Sequence, residues 1–220
     1  MVEDIVIFGT GGFGREVAWL IEEINKEDVR WNLLGFIDDF MELQGKIING
    51  YPVLGTSDWV NSCKQKIGVL CCLGDPNVRE IKIKKMSQNP YVWHPTIISN
   101  HAVISSPTTK IGKGCIICAS SIVTVNVSIG DFVHINLDCT VGHDTVIDDY
   151  VTLYPSVNVS GNVRIGNHTE IGTGTQIIQG LDIGNKTIVG AGSVVIRNIP
   201  DNATAVGNPA KVIKINGERV

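Results

Sequence analysis

The chain has 220 residues, 43% of them hydrophobic and 18% charged, with a formal net charge of −4. This balance allows a sizeable core and two small domains and leaves no basic stripe for a phosphate backbone, so nucleic acid is not an expected partner. No apolar run approaches the roughly 20 residues of a membrane span, and Met-Val-Glu-Asp places acids where a secretory leader needs bases, so a cytoplasmic protein without membrane insertion is expected.

Residues 4–8, Asp-Ile-Val-Ile-Phe, read as a buried strand that runs into Gly9-Thr10-Gly11-Gly12-Phe13-Gly14 and then an amphipathic helix over residues 15–25. In such a strand, glycine turn and helix, backbone N–H groups at the helix N-terminus are available to a phosphate. A second strand, residues 33–37, ends in Asp38-Asp39, where a dinucleotide fold places its ribose-binding acid. Taken alone, this segment points to a nicotinamide oxidoreductase. Only residues 52–54 and 67–73 remain as strands before residue 93, with helices at 57–64 and at 77–86. The latter is capped by Asp75, with Pro76 at its first position. That is half a dinucleotide domain, with room for one nucleotide and no second mononucleotide site.

From Ile111 to Val195 every sixth residue is isoleucine, valine or leucine. Neither a helix nor a strand alternation has a period of six, so the repeat is a supersecondary unit stacked on itself. Four residues after the anchors come mostly small or β-branched residues, among them Cys115, Ser121, Cys139, Thr145 and Thr169. Directly after them comes glycine at 112, 130, 142, 166, 172, 184 and 190, with Asn136 and Asp148 standing in elsewhere, read as residues that tolerate tight or left-handed corners. Three hexads close a triangular coil, so residues eighteen apart stack at about 4.8 Å, and Ile111, Ile129, Ile147, Ile165 and Ile183 form one interior column. The six cysteines suit a reducing compartment as thiols. Cys115-Ile-Ile-Cys118 has metal-pair spacing, but Cys115 is already an interior repeat residue.

The repeat and the closing Val206-Gly207-Asn208-Pro209-Ala210-Lys211 resemble the hexapeptide-repeat acyltransferases, whose parallel β-helix is left-handed. With Gly9 to Gly14, Gly35-Phe36-Ile37-Asp38-Asp39, Tyr51-Pro52-Val53-Leu54-Gly55, Leu73-Gly74-Asp75 and Trp93-His94-Pro95, the whole chain is similar to the sialic-acid O-acetyltransferases and their nucleotide-amino-sugar N-acetyltransferase relatives. The fold class expected is therefore an α/β half-Rossmann domain over residues 1–92, followed by a left-handed parallel β-helix over residues 93–220. The resemblance implies acetyl-CoA as donor, no metal, a homotrimer, and a nucleotide-linked amino sugar as acceptor for surface glycan synthesis. O-acetylation is the near alternative, and a trimeric scaffold that senses nucleotide without catalysis is a more distant one.

Acetyl transfer from a thioester needs a base for the nucleophile's proton and donors for the oxyanion. The family's base lies in a segment like Asn136-Leu137-Asp138-Cys139-Thr140-Val141-Gly142-His143-Asp144, which carries that role to His143, with Asp144 as the acid that orients it. Gly161 matches the position whose backbone N–H faces the thioester oxygen. The resemblance places Gly161, Thr173, Gly190 and Ala191 as stacked corner residues along the pantetheine groove, with Lys211 near the adenosine phosphates. On the acceptor side it points to Gly9, Gly11, Gly12, Phe13, Gly14, Asp38, Asp39, Gly74 and Asn136. Phe13 and Thr152 stand where relatives have histidines. His94 and His101 read as structural. His134 and His168 read as lying on one face two coils apart, about 10 Å, away from His143. Together they make no zinc site of the kind a β-helical carbonic anhydrase requires.

Overall fold

The computed structural model describes residues 2–220 and divides the chain into two compact units, 1–97 and 98–220. In the first unit, β1 (Glu3–Phe8), α1 (Gly12–Glu27), β2 (Trp31–Ile37), β3 (Ile47–Ile48), β4 (Tyr51–Gly55), α2 (Ser57–Ser62), β5 (Ile67–Cys71), α3 (Pro76–Met86) and β6 (Val92–Trp93) follow one another. The sheet order is β3-β4-β2-β1-β5-β6, parallel except for the β3–β4 hairpin. Ile5, Val6, Ile7 and Phe8 are buried on both faces of the central strand, as a parallel strand between layers requires. On one of those faces α1 presents Val17, Ala18, Leu20, Ile21 and Ile24. This helix begins at Gly12, three residues earlier than its apolar periodicity indicates, because Gly11 serves as its N-cap. Asp75 caps α3 as expected, accepting from the Asn77 and Val78 amides.

The second unit is the β-helix, left-handed as in the acyltransferases it resembles. From Lys110 to Val195 its strands are two residues long and pair eighteen residues apart on three faces. On the first face Ile117, Ile135, Leu153, Ile171 and Val189 stack. Val123, Val141, Val159, Ile177 and Val195 form the second column. Ile111, Ile129, Ile147, Ile165 and Ile183 form the third. The coil also extends below Ile111: Ile104 pairs with Val123 across nineteen residues, and the one-residue offset hides this turn from a six-residue count. At the other end Val189 pairs with Ala205, two residues short of a full coil, and the strand Lys211–Ile215 returns antiparallel to Ala203–Val206.

One reading of the repeat needs correction. The left-handed backbone falls three residues after each anchor, at every such position from Gly114 to Gly192, and residues as large as Phe132, Tyr150 and Lys186 adopt it. The glycines directly after the anchors serve stacking instead. A Cβ on Gly142 would overlap Gly161, and one on Gly172 would overlap Ala191. The small-residue column does more than fill space. Ser121, Thr145, Thr169 and Thr175, all fully buried, donate to the carbonyls of Asn136, Ser160, Gly184 and Gly190, fifteen residues ahead. Cys115 and Cys139 make the same contact with Gly130 and Tyr154, and burial pushes their thiols up to about 12 and about 11. Corner carbonyls that would otherwise be buried unpaired are thus satisfied from inside the coil.

Candidate active site

His143 follows the strand Thr140–Val141, at the corner between the second and third faces. Its backbone is fixed on both sides: Gly142 N–H donates to Val159 O at 2.8 Å, and Asn162 N–H donates to His143 O at 2.7 Å. Asp144 is the left-handed residue of this corner, φ 59°. That conformation swings its side chain back beside the histidine, so the adjacent residues do not point apart. His143 Nδ1 lies 2.8 Å from Asp144 Oδ2. The imidazole hydrogen bond, and after it one from Asn126, hold the Asp144 carboxyl below the usual carboxylate range. The ring lies across Gly161, one coil on, where any Cβ would overlap His143 Nε2, Cε1 and Cδ2. With Nδ1–H given to the carboxylate, Nε2 carries the lone pair and can take a proton.

The residues assigned to the coenzyme do not form one stack. Gly161 belongs to the His143 corner, whereas Thr173, Gly190 and Ala191 follow strands of the first face and turn the preceding corner. Lys211 begins the return strand on that same face. Gly161 and Thr173 are two hexads apart, two-thirds of an eighteen-residue coil, so they sit at different corners and not one above the other. Asn136 also turns the first corner, its Oδ1 accepting from Leu137 N–H.

His94 lies 3.1 Å from Val69 O and 2.9 Å from Ser87 Oγ. His134 and His168 do not share a column. His134 pairs with Thr152 on the first face, whereas His168 stacks on Tyr150, which stacks on Phe132, with ring centroids 5.0 and 5.2 Å apart. Among the described residues no three His, Cys, Asp or Glu side chains are grouped to hold a metal ion.

In the first unit the glycine loop offers backbone donors. Gly9 has φ 108° and Gly14 packs on the Gly9 carbonyl, so side chains are excluded at both. Gly11 caps α1 without a side chain, no acid lies in the first helical turn, and the space beside Gly12 is open, which favours an anion. The two acids after β2 have partners of their own. Asp38 accepts from Thr10 N–H at 2.9 Å, Thr10 Oγ1 at 2.7 Å and Phe40 N–H at 3.1 Å. Asp39 accepts from Ser57 N–H at 2.7 Å and Lys82 Nζ at 2.6 Å. Burial works against the Asp39 charge, but Lys82 and Ser57 outweigh it and hold the carboxyl below its usual range. The loop at Gly74 is held by Arg79, a fully buried arginine on α3 whose Nη1 donates to Leu73 O at 2.9 Å. Its spacing with Pro76, Ile83 and Met86 on the buried helix face was the available signal.

Comparison with known proteins agrees with both units. Residues 4–86 match the PglD N-terminal domain family. Over 217 residues the chain is 36% identical to a GDP-perosamine N-acetyltransferase of Escherichia coli O157:H7, spanning 94% of this chain and 95% of that protein. The acetyltransferase domain of PglB from Neisseria gonorrhoeae, solved with acetyl coenzyme A, is 31% identical with a TM-score of 0.88, over 96% of this chain and 100% of that one. A histidine-to-asparagine mutant of perosamine N-acetyltransferase from Caulobacter crescentus, solved with CoA and GDP-perosamine, is 27% identical with a TM-score of 0.84, over 96% and 97%. The chain belongs to the hexapeptide-repeat family of acetyl-CoA-dependent nucleotide-amino-sugar N-acetyltransferases.

Proposed function

We propose that the protein acetylates the amine of a GDP-linked amino sugar of the perosamine type, with His143 as general base. The observation that carries this reading is the His143–Asp144 pair laid across Gly161. A sugar ammonium loses one proton to water and then, as the free amine, attacks the thioester carbonyl carbon. His143 Nε2 takes the second proton as the C–N bond forms. Collapse of the tetrahedral intermediate breaks the C–S bond, and the imidazolium returns the proton to the departing thiolate, leaving an amide and CoA. The Gly161 N–H is the oxyanion donor assigned by the resemblance. The GDP-perosamine acceptor of the relative 36% identical to this chain favours guanosine over other nucleotides.

The glycine loop holds the sugar's diphosphate through backbone N–H groups at Gly11, Gly12 and Gly14, with Gly9, whose own N–H donates to Ile37 O, Phe13 and Gly74 as further acceptor residues of the same unit; Asn136 of the β-helix is assigned to the acceptor by the resemblance alone. Asp38 and Asp39 act here by holding that loop and the start of α2 in place. The working form is a homotrimer. Side chains of His143 and Asp144 are 59% and 52% exposed, and Ile122, Val125, Ile178 and Ile196 are exposed on the same face and corner. A second copy covering that strip excludes water from the base and can bring Thr173, Gly190, Ala191 and Lys211 of one subunit to the Gly161 corner of the next, which completes a coenzyme groove. No helix among the described residues is long and apolar enough to cross a membrane. The six cysteines, none of them in a disulfide, fit a cytoplasmic location.

Thiol release from acetyl-CoA, measured with GDP-, UDP- and dTDP-linked amino sugars and their hydroxyl analogues, tests the assignment. The expected result is turnover with the GDP-amine and an amide product by mass spectrometry. Turnover with the hydroxyl analogue alone refutes N-acetylation here, and preference for a UDP or dTDP sugar refutes the guanosine assignment.

A further inference from the structure

We propose that Asn126 is a positioning residue for acetyl transfer: its side-chain amide holds one oxygen of Asp144 so that the other stays on Nδ1 of His143. This rests on the reading of His143 as the base. Asn126 lies one coil below Asp144, and the two share the left-handed backbone, φ 58° and 59°. Equal conformations at stacked positions aim both side chains the same way. Asn126 Nδ2 donates to Asp144 Oδ1 at 3.1 Å, while Oδ2 faces His143. Asn126 is itself seated by its backbone N–H, which donates to Thr108 Oγ1 at 3.1 Å.

The chemistry needs this second donor because a half-exposed carboxylate held at one oxygen is free to rotate toward water. A neutral imidazole has two tautomers, and only the one protonated on Nδ1 leaves Nε2, above Gly161, able to accept the amine's proton. Fixing Oδ2 on Nδ1 selects that tautomer, and fixing Oδ1 on Asn126 fixes Oδ2.

A left-handed corner by itself accounts for an asparagine, since short polar residues stand at Ser120, Asp138, Ser156 and Asn162 for that reason. Another corner supplies the control that separates the two roles. Ser156 Oγ donates to Asp138 Oδ2 at 3.0 Å; the serine stands one coil above its acid where Asn126 stands one coil below, but the coil spacing that the hydroxyl crosses is the same. Asn126→Ser therefore keeps a donor, whereas Asn126→Gly keeps only the left-handed backbone.

The test uses the full chain with acetyl-CoA and GDP-perosamine, together with ¹⁵N spectra of the His143 imidazole that need no acceptor. For Asn126→Gly we expect kcat to fall about 3- to 10-fold, both KM values to stay unchanged, and the imidazole to shift from the Nδ1–H tautomer to a mixture. Asn126→Ser stays within about two-fold of wild type, the donor being retained. In a His143→Ala background Asn126→Gly costs nothing further. An unchanged tautomer and kcat in Asn126→Gly, alongside a strongly impaired His143→Ala, overturn the positioning role alone. An equal loss in the His143→Ala background makes Asn126 merely structural and overturns it as well. An unimpaired His143→Ala overturns the underlying assignment of the base.

Discussion

The two units use side chains and backbone in opposite ways. In the N-terminal unit Asp38, Asp39 and Arg79 are turned to the protein's own N–H and C=O groups, and what remains facing outward at the glycine loop is backbone. In the β-helix the backbone is consumed by coil-to-coil pairing and by the interior hydroxyls and thiols. What stands free at the corner is a side-chain acid–base pair. A backbone cradle suits a diphosphate, whose charge does not change in the reaction. A titratable pair suits a nucleophile that must lose a proton. Substitutions in one unit should therefore move the acceptor's binding, and substitutions in the other the chemical step.

His143→Ala is the strongest test of that division. It removes a base worth roughly 10²- to 10⁴-fold in kcat and should leave both KM values near wild type. The defect should shrink as pH rises, because hydroxide can then take the second proton from the nitrogen of the tetrahedral intermediate in place of Nε2. Steady-state thiol release from pH 6 to 10 checks both points, and near-full kcat at neutral pH would end the proposed mechanism. Gly161→Ala should come next. Its methyl occupies the place of the His143 ring, and displacing a reacting group by about 1 Å can cost about 10²-fold. An effect as small as that of Asn126→Ser would mean that the ring does not work where the structure puts it. In the other unit a Cβ on Gly12 meets nothing within 4 Å outside its chain neighbours and its own helix turn, so Gly12→Val should fold normally and raise the acceptor KM by about 10-fold by sterically excluding the phosphate from its charge-assisted backbone contacts. Calorimetry should show acetyl-CoA binding unchanged, and an equal loss of both ligands would make the loop structural.

The same division decides what a sequence discloses. The β-helix anchors are legible because one physical demand, an apolar residue at each inward position, recurs every six residues. The corner three residues later is illegible because Gly114, Phe132, Asp144 and Lys186 all meet its left-handed demand, so no residue type marks it. Asn126 was missed for a related reason: its partner is eighteen residues away and becomes a neighbour only when the coil is built. Gly161 could be assigned by resemblance, but its function as a seat for an imidazole needs the ring's position. In the first unit the glycine fingerprint and the Asp75 cap are local and were readable. The partners of Asp38 and Asp39 were not, since the Thr10, Phe40, Ser57 and Lys82 donors come from other segments and meet these acids only in the folded unit.

The smallest expected effect concerns that loop-holding role. The Asp39 carboxyl is depressed in the folded chain, so its contribution to stability is present above its ordinary pKa of about 4 and is lost as pH falls through the folded value. Lys82→Met removes the Lys82 donor, raises that folded value toward the ordinary one, and should move acid unfolding of the N-terminal unit to higher pH. Both side chains are about one-third exposed, 31% and 33%, so solvent screening keeps the shift modest. The readout separates the units cleanly, because all four tryptophans, Trp19, Trp31, Trp59 and Trp93, lie before residue 98. Tryptophan fluorescence during acid titration should therefore report the shift in Lys82→Met and no shift in His143→Ala. A displaced acid transition in His143→Ala would mean that the corner pair supports the first unit, and the separation of duties between the two would fail.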